Sequence, residues 1–438
     1  MIREKDEEIS GSGLSVSPGE PPVPRATDEH VPITRPGKRD LTQPCRLLGT
    51  FFIFVITWGV ASSWSTYQAF YQQDFLAHHT PSVIAWIGTV QVSLMGFTGV
   101  VSGALFDRGY IRPLLIAGGC LVVIGFMMLS LAREYYQVIL TQGILIGLGN
   151  GMLYIPSIAV ISQTFTSKQR PLAIGGTSSG ASIGGIVIPI MFRQLQPKIG
   201  FGWVNRIFGF MILAMMIATY LLLRPDPTHT RPKGPLFDPS AIKEMPFVIL
   251  FAGLFFTFLG YWVPLIFVIP YAQFSIKTSV TYAFNLLAIL NAGSCAGRVL
   301  PSVIAHRVGP AVVLSAGALC LGILIFAWIA IHETVGITIW AVLVGFASGI
   351  TVAIPATVAP LMSPTPNVIG ARTGMAWSGA AFAGLIGGPI AGALVDTKTN
   401  DYTHGQIFGG AASLLGGLLL IYPAIVIAKG DERYQKQS

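Results

Sequence analysis

A single arginine lies deep within an apolar stretch of this chain, and its guanidinium group has the chemistry to bind an acid. Arg298 lies eight residues before His306, which along a helix at about 1.5 Å per residue is roughly 12 Å from the end of that stretch. A guanidinium at hydrocarbon depth is costly unless it faces a protein interior and meets an anion or dipoles. Arg298 is therefore predicted to bind a carboxylate or another acidic group. A structural arginine capped by carbonyl groups is the alternative.

Other polar and aromatic residues inside apolar stretches could line a pocket with this arginine. Tyr67 and Tyr71 are four residues apart, as are Asn150 and Tyr154, so each pair shares a helix face. For any one of them, packing or a lipid-facing position is the competing interpretation. The residues predicted to contact a substrate are Arg298, Asn291, Tyr67, Gln68, Tyr71, Asn150, Tyr154, Tyr261 and Trp377, and Asn285 belongs to the same set of candidates.

The composition shows what kind of element must position these residues. The chain has 438 residues, of which 52% are hydrophobic and 11% are charged, against about 25% charged in ordinary soluble domains. Runs of about 20 apolar residues are long enough to cross a bilayer as helices, and their continuous hydrophobicity excludes barrel strands. Twelve runs are predicted to be helical, at 47–71, 82–106, 113–131, 137–162, 171–192, 203–223, 246–270, 280–301, 310–331, 335–360, 370–395 and 405–428.

The predicted fold is thus an all-α polytopic membrane protein with twelve transmembrane helices in two six-helix bundles. The bundles are expected at 47–223 and 246–428, joined by a cytosolic linker at 224–245 that is rich in proline and basic residues. Residues 1–46 lack apolar periodicity and are predicted to be a disordered cytosolic tail. Residues 429–438 are predicted to form a second cytosolic tail, and a monomer is expected.

The net charge of +8 follows membrane sidedness rather than a nucleic-acid partner. With a cytosolic N-terminus, the inner segments hold 20 Lys and Arg residues and the outer loops hold 5, including Arg193 and Lys198. Both termini are therefore expected in the cytosol. The plasma membrane is the leading prediction for location, and the vacuole or another internal membrane is the alternative.

The chain repeats itself at an offset of 199 residues. The apolar run that ends in Asp107-Arg108 matches the run that ends in His306-Arg307. An acid at a helix end can pair with the N-terminus of a neighbouring helix and hold one conformation. The residues predicted to act in gating are Asp107, Arg108 and Arg112, with the repeat-related pairs Gly175 and Gly374, and Gly180 and Gly379.

Several kinds of chemistry are absent from the sequence. The four cysteines stand singly, so neither disulfides nor a metal site are expected. No phosphate-binding GxxxxGK[ST] motif occurs, which argues against an ATP-driven pump. No catalytic cluster lies within the apolar runs, so an enzyme is not expected, and no cofactor is predicted.

Two motifs resemble those of known transporters. The spacing Gly103-x-x-x-Asp107-Arg108-x-x-x-Arg112 is similar to a loop motif of the major facilitator superfamily. The segment that starts at Ser162 and runs through Gly175, Gly180 and Gly184 to Pro189 resembles the helix four to five signature of the monocarboxylate porter family, especially its fungal branch.

This resemblance implies a role for Arg298 in substrate binding or coupling. The chain departs from the family at two positions. The family's acid four residues before this arginine is Ser294 here, and the lysine that some members carry in helix one is Thr66. Proton coupling therefore remains open.

Together these observations predict a secondary active transporter that moves a small organic anion or an amphipathic metabolite by alternating access. Export of a secondary metabolite in the same fold is one alternative. A membrane sensor that does not transport is another, although the short tails leave little room for a signalling domain.

Overall fold

The computed structural model describes residues 42–166, 168–223, 235, 237–396, 399 and 401–429, and nearly all of them are helical. Continuous apolar runs make helices the only economical way to satisfy backbone hydrogen bonds in lipid. The helices long enough to span a bilayer are α1 (Thr42–Phe75), α2 (Ser82–Asp107), α3 (Ile111–Leu129), α4 (Tyr135–Thr164), α5 and α6 (together Arg170–Leu222), α7 (Met245–Ser275), α8 (Val280–Val308), α9 (Pro310–Ala330), α10 (Thr334–Leu361), α11 (Pro366–Leu394) and α12 (Thr403–Ala428).

A glycine separates α5 from α6. Gly200 has φ 78° and ψ 164°, outside the helical region, so the helical stretch divides into 170–199 and 201–222. A side chain at this φ would be strained, and glycine avoids that cost. With this break the described residues contain twelve transmembrane helices, and the predicted all-helical polytopic fold is confirmed.

Three details differ from the sequence prediction. Helix α1 begins already at Thr42, so residues 42–46 are helical rather than part of a tail. Arg193 and Lys198, expected in an outer loop, lie within α5, because the helix continues to Gly200. Helix α8 continues to Val308 and so includes His306. The tail predictions for residues 1–41 and 430–438 lie outside the described residues.

The internal repeat extends to the helix boundaries. The side chains of Thr80 and Ser279, 199 residues apart, accept hydrogen bonds from backbone N–H groups and cap the starts of α2 and α8. Gly109 and Gly309 follow α2 and α8 with φ of 91° and 99°. The two halves therefore use the same local devices to start and end equivalent helices.

The halves meet where α2 packs against α11 and where α5 packs against α8. Glycines bring the backbones together at both crossings. A Cβ at Gly374 would lie 2.7 Å from the Gly99 oxygen, and one at Gly175 would lie 2.5 Å from the Arg298 oxygen. The hydrophobic effect does not drive helices together in lipid, so van der Waals packing at such close contacts must hold them together.

The remaining gating glycines pack within each half. A Cβ at Gly180 would lie 2.5 Å from the Phe51 oxygen on α1, and one at Gly379 would lie 2.7 Å from the Phe251 oxygen on α7. Gly180 and Gly379 thus make the same kind of contact, each within its own half. Their role in gating stays a prediction.

Gly103→Ala tests the crossing of α2 and α11. The added methyl group would collide with the Gly370 carbonyl oxygen, a backbone atom that cannot turn aside. Overpacking of this kind costs about 1–3 kcal/mol, so we expect a lower melting temperature in a fluorescence unfolding assay of the detergent-solubilised protein.

Gly176→Ala is the matched control, since a Cβ at this helical glycine meets nothing within 4 Å. Its melting temperature should match or exceed that of the unsubstituted protein. Equal melting temperatures for the two variants would contradict the close approach of α2 and α11.

Candidate functional site

Arg298 is buried at the crossing of α5 and α8, with only 1% of its surface exposed. Its Nη1 donates to the Ser178 carbonyl oxygen on α5 at 3.2 Å, and its Nε donates to the Ser294 hydroxyl at 3.4 Å. Both hydrogen bonds are long for a charged donor. The guanidinium therefore bridges the two halves through weak neutral partners, as the alternative of a carbonyl-capped arginine requires.

A cluster of aromatic rings from both halves lies between α1, α4, α7 and α11. The indole rings of Trp58 and Trp262 stack with centroids 6.3 Å apart and an interplanar angle of 7°. Trp377 contacts Trp58 at 5.8 Å and Tyr154 at 5.3 Å, and Phe258 contacts Trp377 at 5.4 Å. We call these five residues the aromatic cluster.

Two of the indole nitrogens in this cluster lack partners. Those of Trp262 and Trp377 are buried without a hydrogen bond among the described residues, whereas the Trp58 indole and the Tyr154 hydroxyl are close enough to interact with each other. Buried tryptophan and tyrosine side chains usually find such a partner. The cluster thus offers flat apolar surface together with unused hydrogen-bond donors, a combination suited to an organic molecule with rings and oxygens.

Some of the predicted substrate residues lie close to these groups. Tyr261 packs its ring on Phe258 and Trp262 and is close enough to interact electrostatically with Arg298. Asn291 lies against α5, since a Cβ at Gly185 would be 2.5 Å from its Oδ1.

Two further candidates occupy neighbouring positions. Asn150 lies one helical turn before Tyr154 and is fully buried, and neither of its amide atoms is hydrogen-bonded to another described residue. Gln68 lines a cavity at the end of the molecule opposite Asp107. These positions agree with the expected pocket, and the roles of the residues stay predictions.

Tyr67 and Tyr71 are not brought to this site. Their hydroxyl groups donate to Asn205 Oδ1 at 2.9 Å and to Gln142 Oε1 at 2.6 Å. Their rings pack in the core of the first half, where Tyr67 contacts Phe192 with centroids 4.6 Å apart. Both side chains already have polar partners there, so this structure supports a packing role for them.

Asp107 joins the end of α2 to the beginning of α11. Its two carboxylate oxygens accept hydrogen bonds from the backbone N–H groups of Gly370 and Ala371, at 3.0 and 2.9 Å. These N–H groups lie in the first turn of α11, where the helix leaves donors unpaired and carries partial positive charge. This is the kind of pairing that the sequence predicted for Asp107. Nearby, Arg108 is half-buried and Arg112 is exposed.

The second half makes a corresponding contact at the end of α8. His306 Nδ1 lies 2.8 Å from the Lys168 carbonyl oxygen, just before α5. A carbonyl oxygen only accepts, so Nδ1 carries the proton in this arrangement. Histidine in place of the acid therefore keeps a contact between the halves. The contact changes from two hydrogen bonds accepted by a carboxylate to one hydrogen bond donated by an imidazole.

Sequence reasoning missed a buried ionic group around Arg372 in α11. The guanidinium contacts Asp238 Oδ2 and Glu244 Oε1, each at 2.7 Å, and donates to the Met362 carbonyl oxygen at 2.6 Å. Burial raises the pKa of the Asp238 carboxyl, but hydrogen bonds from Ser240 and Arg372 outweigh it and hold that pKa below its ordinary value. Two signals were available in the sequence. Arg372 is a basic residue near the start of an apolar run, and the linker between the halves carries the acids Asp238 and Glu244 close to its end.

Comparisons with known proteins agree with this fold. The profile of the Major Facilitator Superfamily matches residues 47–388. Over 437 residues the chain is 33% identical to the MFS-type transporter pynF of Aspergillus niger, covering 99% of both proteins. It is 35% identical to the aspyridones efflux protein apdF of Emericella nidulans, covering 88% of this chain and 78% of that one.

Further similarities extend this set. The agnestins efflux protein AgnL12 of Paecilomyces divaricatus is 32% identical, covering 95% of this chain and 96% of that one. Among solved structures, the human organic anion transporter MFSD10 (TETRAN) gives a TM-score of 0.65 at 14% identity, covering 86% of this chain and 98% of that chain. At this low identity the likeness shows the fold alone.

Asp107→Asn tests whether this carboxylate holds α2 to α11. Loss of its charge should weaken the interaction with the N-terminus of α11 by about 1 kcal/mol and make opening at this end about fivefold more frequent. The reporter is Thr373→Cys, a fully buried position one turn further along α11, in a background with the four native cysteines replaced. Its labelling rate with a water-soluble maleimide should rise about fivefold.

Asp74→Asn serves as the control, because Asp74 is exposed at the opposite end of the molecule. It should leave the labelling rate at position 373 unchanged. A rate unaffected by Asp107→Asn would show that the carboxylate does not hold this end closed.

Proposed function

Since this chain belongs to the Major Facilitator Superfamily of membrane transporters, we propose that it exports an amphipathic organic metabolite that carries an acidic group. Arg298 would bind the acidic group and the aromatic cluster would hold the rings of the molecule. Transport would follow the alternating exposure of this region at the two ends of the protein.

The observation that carries the proposal is the isolation of Arg298 from any acid. Among the described residues no carboxylate pairs with its guanidinium, and its only hydrogen-bond acceptors are the Ser178 carbonyl and the Ser294 hydroxyl. A charged group buried in this way is costly, and a bound anion would lower that cost. A carboxylate would also replace two long hydrogen bonds by a shorter charged pair.

The aromatic cluster supports a substrate larger than a simple short-chain acid. Trp58, Trp262 and Trp377 offer wide apolar faces, and the unpartnered indole nitrogen of Trp377 could donate to an oxygen on the same molecule. Within the superfamily we propose the monocarboxylate porter type, on the resemblance of residues 162–189. Ser294 replaces the acid beside the arginine, which favours a substrate other than lactate.

The direction of transport is inferred from relatives. Two proteins at least 32% identical to this chain are named as efflux proteins for aspyridones and agnestins. We infer that this chain likewise moves a secondary metabolite out of the cytosol, which is consistent with a place in the plasma membrane.

Purified protein in liposomes tests this proposal. The assay follows the flux of a panel of aromatic carboxylic acids alongside their primary amides, which keep the shape and remove the charge. We expect faster flux of the acids. Arg298→Ala should lower it by about 30-fold or more, since a hydrogen bond to a charged group contributes about 1.5–3 kcal/mol and Arg298 can make two. Arg298→Lys should retain part of the flux, because it keeps the charge and loses the fork.

Arg206→Ala is the matched control. Arg206 is a partly buried arginine in α6 that stacks on Trp203 and donates to Ser130, away from the aromatic cluster. It should leave the flux of acids unchanged. Wild-type flux in a correctly folded Arg298→Ala protein would refute the anion contact, and no flux of any compound would favour the sensor.

A further inference from the structure

A cavity of about 220 Å³ opens between α1, α2, α7 and α11 at the end of the molecule opposite Asp107. Trp64 and Gln68 contribute to its wall from α1, Gln91 from α2, Trp262 from α7 and Gly388 from α11. Most of the remaining wall consists of small or apolar side chains. The two halves of the chain therefore enclose a space of the size of a small organic molecule.

Two buried hydrogen-bond donors in this wall have no partner among the residues that the structure describes. Gln91 is 2% exposed and Trp262 is 8% exposed, and neither Gln91 Nε2 nor Trp262 Nε1 makes a hydrogen bond within that part of the chain. The indole nitrogen lies 3.5 Å from the point that a Cβ at Gly384 would occupy, so glycine leaves the donor open toward α11. A buried donor left unsatisfied costs about 1–3 kcal/mol, and an acceptor brought by a ligand would recover much of it.

The electrostatics of this cavity differ from those around Arg298. Within the part of the chain that the structure describes, no Asp, Glu, Lys or Arg contributes to its wall. An ion placed there would lose its hydration without gaining a counter-charge, whereas a neutral molecule would not. The cavity therefore favours uncharged ligands.

The aromatic cluster stands between the cavity and the neighbouring space at the centre of the molecule. Trp262 and Val92 line both the cavity and a small space beside Trp58, Tyr154 and Trp377. The face of Trp262 that stacks on Trp58 belongs to the cluster, while its indole nitrogen lies beside Gly384, which lines the cavity. Trp262 is therefore a member of the aromatic cluster and also part of the cavity wall.

We infer that this cavity is a second binding site, which takes an uncharged apolar molecule bearing a carbonyl oxygen. The oxygen accepts hydrogen bonds from Gln91 Nε2 and Trp262 Nε1, and the apolar part fills the space beside Gly388. The site depends on its own donors and goes beyond the proposed export of an acidic metabolite. It stands whether or not Arg298 binds an anion.

Benzophenone is a suitable probe, because it is neutral and aromatic, carries one carbonyl and inserts into nearby C–H bonds on illumination. The purified full-length chain in nanodiscs is illuminated with benzophenone and the labelled residues are identified by mass spectrometry. We expect labelling of the cavity segments of α2 and α11, around Thr89 and Gly388. 9-Fluorenone should compete about 5- to 10-fold better than fluorene, which has the same shape without the carbonyl.

Three variants connect the labelling to the cavity. Gln91→Leu removes one donor and should reduce the preference for 9-fluorenone over fluorene. Gly388→Leu should abolish labelling by filling the space. Its Cβ would make ordinary contacts of 3.4 Å with Thr89 and 3.5 Å with Ile266, so the fold should tolerate it. Gly176→Leu is the control, because a Cβ there meets nothing within 4 Å and Gly176 lies outside this cavity.

The outcomes separate this inference from the proposed function. Arg298→Ala should leave benzophenone labelling unchanged even where it stops the flux of acids. Labelling confined to lipid-facing positions would overturn the inference. So would equal competition by fluorene and 9-fluorenone, or a preference for 9-fluorenone that is as large in Gln91→Leu as in the unsubstituted protein.

Discussion

The contact between Asp107 and the first turn of α11 is the interaction on which the rest of this structure depends. Two backbone N–H groups that the helix cannot satisfy are bound by one carboxylate from the other half of the chain. Glycines at the same crossing let α2 and α11 approach closely. Because lipid offers no hydrophobic force between helices, polar contacts and close packing hold α2 against α11 at this end. With this end closed, the cavity lies at the opposite end.

The buried polar groups of the interior are charged in some places and neutral in others. Arg298 carries the positive charge and is held by two long hydrogen bonds, which a stronger acceptor could displace. The aromatic cluster adds neutral donors, and the wall of the cavity near Gln91 adds others. Arg372 pairs with two carboxylates, those of Asp238 and Glu244, and this group holds α11 to the segment before α7. The contrast between two buried arginines therefore distinguishes a group available to a ligand from one engaged in the fold.

Sequence reasoning predicted the helices well, because continuous apolar runs have few other structures open to them in lipid. It also singled out Arg298 and Asp107, since a charge at hydrocarbon depth or at a helix end has few uses. It could not place Tyr67, whose partner Asn205 lies far along the chain. The ionic group of Arg372 was missed for the same reason, because its partners Asp238 and Glu244 lie 134 and 128 residues away along the chain. Each depends on which helices become neighbours, and a hydropathy pattern does not contain that information.

The most direct test of the account measures both ends of the molecule at once. Spin labels at the exposed positions Tyr110 and Thr365 report the separation of the halves near Asp107, and labels at Asp74 and Lys277 report it at the opposite end. Pulsed electron paramagnetic resonance is recorded in nanodiscs, with and without a compound that the protein transports. Alternating access predicts two distances for each pair, with one pair lengthening as the other shortens. A single distance for both pairs, unchanged by the compound, would contradict it.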